Sequence, residues 1–320
     1  MGIPKRIKAI SGRHSLVDGI RFQLPVRCIP SPVLMAVFPI HPGKAKALLP
    51  AEVHPFRIGN HGLLAITVIN YLGTNIGTYV EYSIGIACTH GLKPAPPLLP
   101  LLFQGYYGTG QYVIELPVST KISVKGGKGI WGMPKHQGHL NFMITDRTIS
   151  SQYDLDGRLV TYIEIGRPAS TPLPLSLGTA NYCSFRGMLM KSYIYFQGKA
   201  GLGLLGGAKA RLGLGDHPRA EPLKSLEIAD KPLMTAYIPG AVGTLDDRGE
   251  SWFLHAAEPP DTAPEGMESV INLPLDQTWP PPPSAPIAGL EFGKWGSPLS
   301  CSDYKILGSG LGDDVLEGAC

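Results

Sequence analysis

Apolar positions along this chain fall in short runs, not in the stripes of three-and-four spacing that mark long helices. Val33–Ile40, VLMAVFPI, is rich in strand formers and is stopped by His41-Pro42. Lys44–Leu49 then makes a brief helix-prone stretch ending at Pro50. Residues 63–70, LLAITVIN, are apolar almost throughout, which predicts a strand buried on both faces. Tyr79–Ala87, YVEYSIGIA, predicts another strand, with Glu81 set among apolar neighbours. Tyr112–Val124 reads as one or two strands bent at Pro117, and His139–Thr145 alternates with period two. Leu159–Ile165 follows an Asp156-Gly157 turn, and Leu233–Ile238 and Val270–Leu275 are late strands. Hairpins at this spacing predict antiparallel sheet rather than βαβ units.

Two segments interrupt the pattern. Residues 88–111, CTHGLKPAPPLLPLLFQGYYGTGQ, predict an irregular apolar insertion that must pack on something, as a lid over a pocket or as a subunit contact. Residues 198–221 are glycine-rich, and Gly201, Gly203 and Gly206 spell G-x-G-x-x-G. No amphipathic helix follows and no βαβ rhythm surrounds them, so a turn-rich loop is expected rather than a phosphate cradle. Trp279 introduces a run of four prolines, and the rest of the chain is Gly/Ser-rich with isolated aromatics. The expected organisation is a polar arm over 1–20, one domain over 21–283, and a tail over 284–320 that wraps the surface.

Composition narrows the class. Charged residues at 17% and a net charge of +3 leave no nucleic-acid footprint, and 40 glycines with 31 prolines favour turns over long helices. The five cysteines (28, 88, 183, 301 and 320) form no C-x-x-C pair, so neither a zinc framework nor a disulfide scaffold is expected. Free thiols in a reducing compartment fit better. The N-terminus lacks an apolar signal core, and Pro94, Pro96, Pro97 and Pro100 break the best candidate for a bilayer span. A cytoplasmic protein with no membrane or nucleic-acid partner is expected.

The candidate chemistry lies in Gly126–Phe142, GGKGIWGMPKHQGHLNF. A nucleophilic lysine must be neutral, and apolar burial or a nearby cation favours the free amine. Trp131, Met133 and Pro134 precede Lys135, and Leu140 and Phe142 follow it. Pro134 restrains Met133, so Lys135 is presented from a stiff turn. On composition alone, an ordinary surface lysine in a hairpin loop is the alternative. His136 and His139 lack a third ligand in pattern, which points to pocket or structural histidines and to no metal site. The serines lack a G-x-S-x-G setting.

Residues 33–142 resemble the acetoacetate decarboxylase superfamily. Tyr79-Val80-Glu81-Tyr82-Ser83 matches its Tyr-x-Glu strand, Gly129 to Lys135 matches its element ending in Pro-Lys, and Val33 to Pro50 matches its entry. Val270 to Pro280 resembles, more weakly, its late tryptophan-bearing strand. The resemblance implies a mainly β (α+β) fold: an antiparallel barrel or cone enclosing an apolar pocket, with few short helices. It implies Lys135 as the Schiff-base lysine and Glu81 as the acid that moves a proton or positions water. His136, Trp131, Met133 and Arg27 complete the candidate substrate pocket, with no cofactor, a small keto acid or ketone as substrate, and a homo-oligomeric assembly. Two departures stand out. His136 occupies the place of the family's second lysine, and the family's carboxylate-pocket arginine falls near Ser31, which leaves Arg27 as the nearby cation. The implied reaction is decarboxylation of a β-keto acid through an iminium and enamine. A Schiff-base aldolase, dehydratase or cyclase acting on a larger carbonyl compound is the alternative, favoured by the insertion and the displaced arginine. A non-covalent isomerase or binding protein is the second.

Overall fold

The computed structural model describes residues 13–254. The expected strand at Val270–Leu275, the proline run and the tail therefore lie outside the described residues. β1 (Arg13–Val17) and β2 (Ile20–Leu24) form a hairpin turned at Asp18-Gly19, so the boundary placed at residue 20 falls inside a paired element. β3 (Val26–Arg27) leads into β4 (Ser31–Ile40). His41 then caps α1 (Pro42–Ala47): its Nδ1 accepts the Gly43 and Lys44 amides, and Pro42 sits in the first turn, where no amide is needed. β5 (Val53–Pro55), β6 (Gly62–Tyr71) and β7 (Tyr79–His90) follow. β7 extends to His90, so the irregular insertion narrows to residues 91–109, which include the short α2 (Leu99–Leu102). Leu92, Leu102 and Tyr106 there are 86%, 77% and 85% exposed.

After β8 (Gly110–Val118) comes α3 (Lys121–Trp131), where the sequence pattern predicts the end of a bent strand and a turn. β-branched Ile122 and Val124 invite the strand reading, yet tertiary packing decides for helix. Both side chains plug the barrel end against Ile76, Tyr79 and Val118. Gly132, at φ 65°, ends the helix in the left-handed conformation. β9 (Lys135–Gln137) follows at once. The expected alternating strand at His139–Thr145 divides into β10 (His139–Leu140) and β11 (Met143–Ile144), because the Asn141 side-chain oxygen accepts the Gln152 amide in place of a ladder bond. β12 (Thr148–Leu155) and β13 (Arg158–Gly166) are joined by Asp156 and Gly157 with φ of 51° and 73°, the primed turn that a hairpin favours. The last strands are β14 (Leu173–Phe185), β15 (Met188–Leu204), β16 (Ala210–Leu214) and β17 (Met234–Phe253). The glycine-rich loop expected from residue 198 is instead largely strand. A Cβ on Gly201 would meet Pro168 at 2.4 Å and one on Gly203 would meet Thr235 at 2.6 Å, so these glycines admit close neighbours.

Seven strands close a barrel in the order β4-β6-β7-β8-β14-β15-β17 and back to β4. All pairs are antiparallel except the short β8–β14 seam, where Gln111 faces Asn181 and Tyr112 faces Tyr182. Gly110 is required at that seam, since a Cβ would lie 2.3 Å from the Ala180 carbonyl oxygen. A second sheet, β10-β12-β13-β16 with β11 on β12, covers one side of the barrel. Leu64, Ile66 and Val68 of β6 and Tyr82, Ile84 and Ile86 of β7 pack outward into the core shared with this sheet. Ala65, Thr67 and Ile69, one step out of phase, line the barrel interior. The apolar run in β6 is thus buried on both faces, as its pattern predicts. Each outward Leu or Ile contributes about 1.5–3 kcal/mol through burial. No helix among the described residues is long and apolar enough to cross a membrane.

Candidate active site

Lys135 opens β9, which runs parallel to β8 with Leu116 opposite the lysine. Its side chain lies beneath α3, and a Cβ on Gly127 would approach Lys135 Cδ to 2.3 Å, so only glycine fits there. Only 3% of Lys135 is exposed. Nζ donates to Glu81 Oε2 at 2.6 Å and to Ser123 Oγ at 3.0 Å, and lies 5.6 Å from the Tyr79 ring centroid. Glu81 faces inward from β7, and the Tyr71 and Tyr79 rings stack 4.6 Å apart beside it. Burial, reinforced by the Glu81 charge, holds both phenols well above their ordinary pKa, so they remain protonated donors. Ser123 was not among the candidates read from sequence, because its segment reads as strand rather than helix.

Lys135, Glu81, Tyr71 and Tyr79 border a cavity of about 320 Å³ inside the barrel, a size within the range of small-molecule sites. Its wall is mostly apolar, with Met35, Ile69, Val113, Leu116, Ile194 and Phe196 contributing. Met133, Pro134 and Arg27 also line it. Burial lowers the Arg27 pKa, but an arginine stays charged. Ser31, near which the resemblance leads one to expect the family's arginine, is fully buried and bonds the Ile29 carbonyl and the Leu72 amide. Cys28 and Cys183 reach the wall too, and burial pushes their thiols up to about 11 and about 12, so neither supplies a thiolate near neutral pH.

Trp131 and His136 are not among the lining residues. The Trp131 indole donates to the Asp246 carbonyl at 2.8 Å and packs with Leu24 and Val26. His136 projects from the opposite face of β9, with Nε2 2.6 Å from the Tyr153 hydroxyl and 3.4 Å from Glu115. Burial first, and then the Arg219 charge, push its pKa down to about 3, so the imidazole is neutral. His139 is exposed on β10. The structure thus brings Lys135, Glu81, Met133 and Arg27 to one cavity and places His136, His139 and Trp131 elsewhere.

A buried amine and carboxylate in contact on the wall of a barrel cavity accompany a family match. The sequence model for acetoacetate decarboxylase matches residues 11–178, more than half of the chain. The chain belongs to the acetoacetate decarboxylase family. Solved structures of this fold include acetoacetate decarboxylase from Legionella pneumophila subsp. pneumophila str. Philadelphia 1. It is 16% identical with a TM-score of 0.51, over 71% of this chain and 87% of that one. A second acetoacetate decarboxylase structure gives 15% and 0.53, over 72% and 89%. The enduracididine biosynthesis enzyme MppR with HEPES bound gives 15% and 0.54, over 72% and 89%. At such identities the likeness concerns the fold alone. No curated protein matches the chain.

Proposed function

We propose that Lys135 forms a Schiff base with a carbonyl substrate and that the iminium drives decarboxylation of a β-keto acid. The observation carrying this reading is the Lys135–Glu81 contact of 2.6 Å on the wall of an apolar cavity in a member of this family. Glu81 is close enough to take a proton from the ammonium, leaving a nucleophilic amine. The amine adds to the ketone carbon, and loss of water gives the iminium. The bond to the carboxylate then breaks, its electron pair moves toward the iminium nitrogen, and CO₂ leaves an enamine. Glu81 gives up its proton as water leaves in forming the iminium. A proton taken up from solvent, relayed through Glu81 or a neighbouring phenol, is therefore delivered to carbon, and water then releases the ketone and restores Lys135. Arg27, on the same cavity, is the proposed partner of the substrate carboxylate. Residue 136, a neutral imidazole on the other face, supplies no cation beside the amine, so Glu81 is the group placed to take its proton.

A second reading keeps the iminium and changes the bond that reacts: an aldolase, dehydratase or cyclase. It is favoured by a cavity that extends well beyond the lysine, and MppR has been solved with pyruvate and with the condensation product of pyruvate and imidazole 4-carboxaldehyde. Borohydride reduction in the presence of candidate ketones, followed by peptide mass mapping, tests the shared step. An adduct on Lys135 is expected; turnover of a ketone with no adduct there would overturn the Schiff-base reading in favour of non-covalent chemistry. CO₂ release from β-keto acids is expected for decarboxylation, and turnover without it selects the second reading.

A further inference from the structure

We infer that the substrate is an elongated carbonyl compound ending in a neutral amide-like group, read by Gln111 and Asn181 at the far end of the cavity. This rests on Lys135 holding the carbonyl. Gln111 lies five residues from Leu116, the partner of Lys135. Along the adjoining strand, Ala87, the partner of Gln111, lies six residues from Glu81. At about 3.3 Å per residue these backbone positions are roughly 15–20 Å apart, and the Gln111 amide, which reaches back beside Gly85, lies four residues or roughly 13 Å along the strand from Glu81. With bonds of about 1.5 Å, a short keto acid cannot touch both.

The chemistry of the two ends differs. Among the residues lining the cavity, the charged side chains are Arg27, Glu81 and Lys135. All three lie at the plugged end: Val26, next to Arg27, clusters with Leu116 and Met133 beside the lysine. The far end has no charge. There Gln111 Nε2 donates to Asn181 Oδ1 at 2.8 Å, and Thr109 and Thr179 stand nearby on the wall. Each side-chain amide carries one carbonyl and one amino group. After the mutual bond, the Gln111 carbonyl and the Asn181 amino group have no other hydrogen bond among the described residues. Reversing both amides again leaves one acceptor and one donor. A ligand group with one donor and one acceptor side by side complements that pair. Gly85 makes room for the Gln111 side chain: a Cβ there would come 2.9 Å from Gln111 Oε1. Val113, Ile194 and Phe196 supply apolar wall to either side of a connecting chain.

A series of methyl ketones of graded length, each ending in a primary amide, a carboxylate or a methyl group, tests this in the full chain. The readout is half-saturation of borohydride trapping, with calorimetric binding of matching amide-ended alcohols that carry no ketone. At the length that spans the cavity, the amide-ended ketone should saturate at a concentration ten- to a hundredfold lower than the methyl-ended one, and the carboxylate-ended ketone should gain no such advantage. That ratio should fall to within about twofold of one in Gln111→Leu and in Asn181→Leu. A wild-type ratio near one, a preference for the carboxylate, or a ratio surviving both substitutions would overturn the inference and leave the amides as a barrel seam only. The wild-type series decides even where a variant fails to fold. If no ketone is trapped but the amide-ended alcohol binds in a Gln111-dependent way, the subsite stands and the Schiff-base reading falls. Trapping without an end-group preference is the reverse.

Discussion

Lys135 and His136 are consecutive on β9 yet stand on opposite faces of the barrel wall, and each meets a buried glutamate. Inside, Lys135 contacts Glu81; outside, His136 lies 3.4 Å from Glu115, which accepts from Arg219 at 2.9 Å. The two carboxylates are almost equally buried, at 9% and 8% exposure. Their surroundings are not alike. Glu81 opens on a cavity that admits a ligand, whereas Glu115 is held between the barrel and the second sheet, and burial raises its pKa against the pull of Arg219. Burial of a charge pair is thus a poor marker of chemistry; access to a cavity separates the two. The departure from the family pattern at position 136 belongs to the outer face, so it bears on the seam between the sheets more than on the amine. Placing a lysine at 136 would put a cation beside Arg219, not beside the Lys135 amine.

The largest effect that can break this contrast is on turnover. Lys135→Ala should lower kcat/KM by about a thousandfold or more and abolish the trapped adduct. Glu115→Gln should change kcat/KM by less than about threefold. A loss in Glu115→Gln comparable to that in Lys135→Ala would mean that the outer pair takes part in the reaction. One step smaller, Gly127→Ala should push the lysine side chain off its position, costing roughly a hundredfold in kcat. Gly129→Ala on the same helix meets Val17 at 2.6 Å and should instead lower stability by about 1–3 kcal/mol, read in denaturant unfolding, with the trapped adduct retained. If the two glycine variants behave alike, the helix does not discriminate between the amine and the hairpin.

Much of the barrel was legible because its signals are local. The apolar run of β6 reports two buried faces, and Asp156-Gly157 reports its own turn. Lys135 and Glu81 were legible through the family resemblance, Met133 through its place beside the lysine and Arg27 through its place near Ser31, and all four line one cavity. His136 and Trp131 were grouped with Lys135 by sequence adjacency, but His136 follows an inward residue on a strand and so faces outward, and Trp131 closes α3 and packs with Leu24 and Val26. Ser123 was hidden because a β-branched run with glycines resembles strand and turn, and only the plug it forms against Ile76 and Tyr79 selects a helix. Gln111 and Asn181, 70 residues apart, meet across the parallel seam, a pairing that no local pattern announces.

The smallest effect concerns acid stability and tests the outer face directly. The His136 pKa is about 3 in the fold against an ordinary 6.5, so between those values the unfolded chain binds a proton that the folded chain does not. Stability must then fall as pH drops through that window, on the order of 3 kcal/mol by pH 4. Glu115 works in the opposite sense. Its raised pKa costs stability as pH rises through the carboxylate range, and acid restores it. His136→Gln on a Glu115→Gln background isolates the imidazole. Denaturant unfolding at pH 7 and pH 4 should show the Glu115→Gln protein losing stability that the double variant keeps. Equal losses in both would mean that His136 takes up its proton within the folded protein, and that the outer face is open to water in the way the inner one is to substrate.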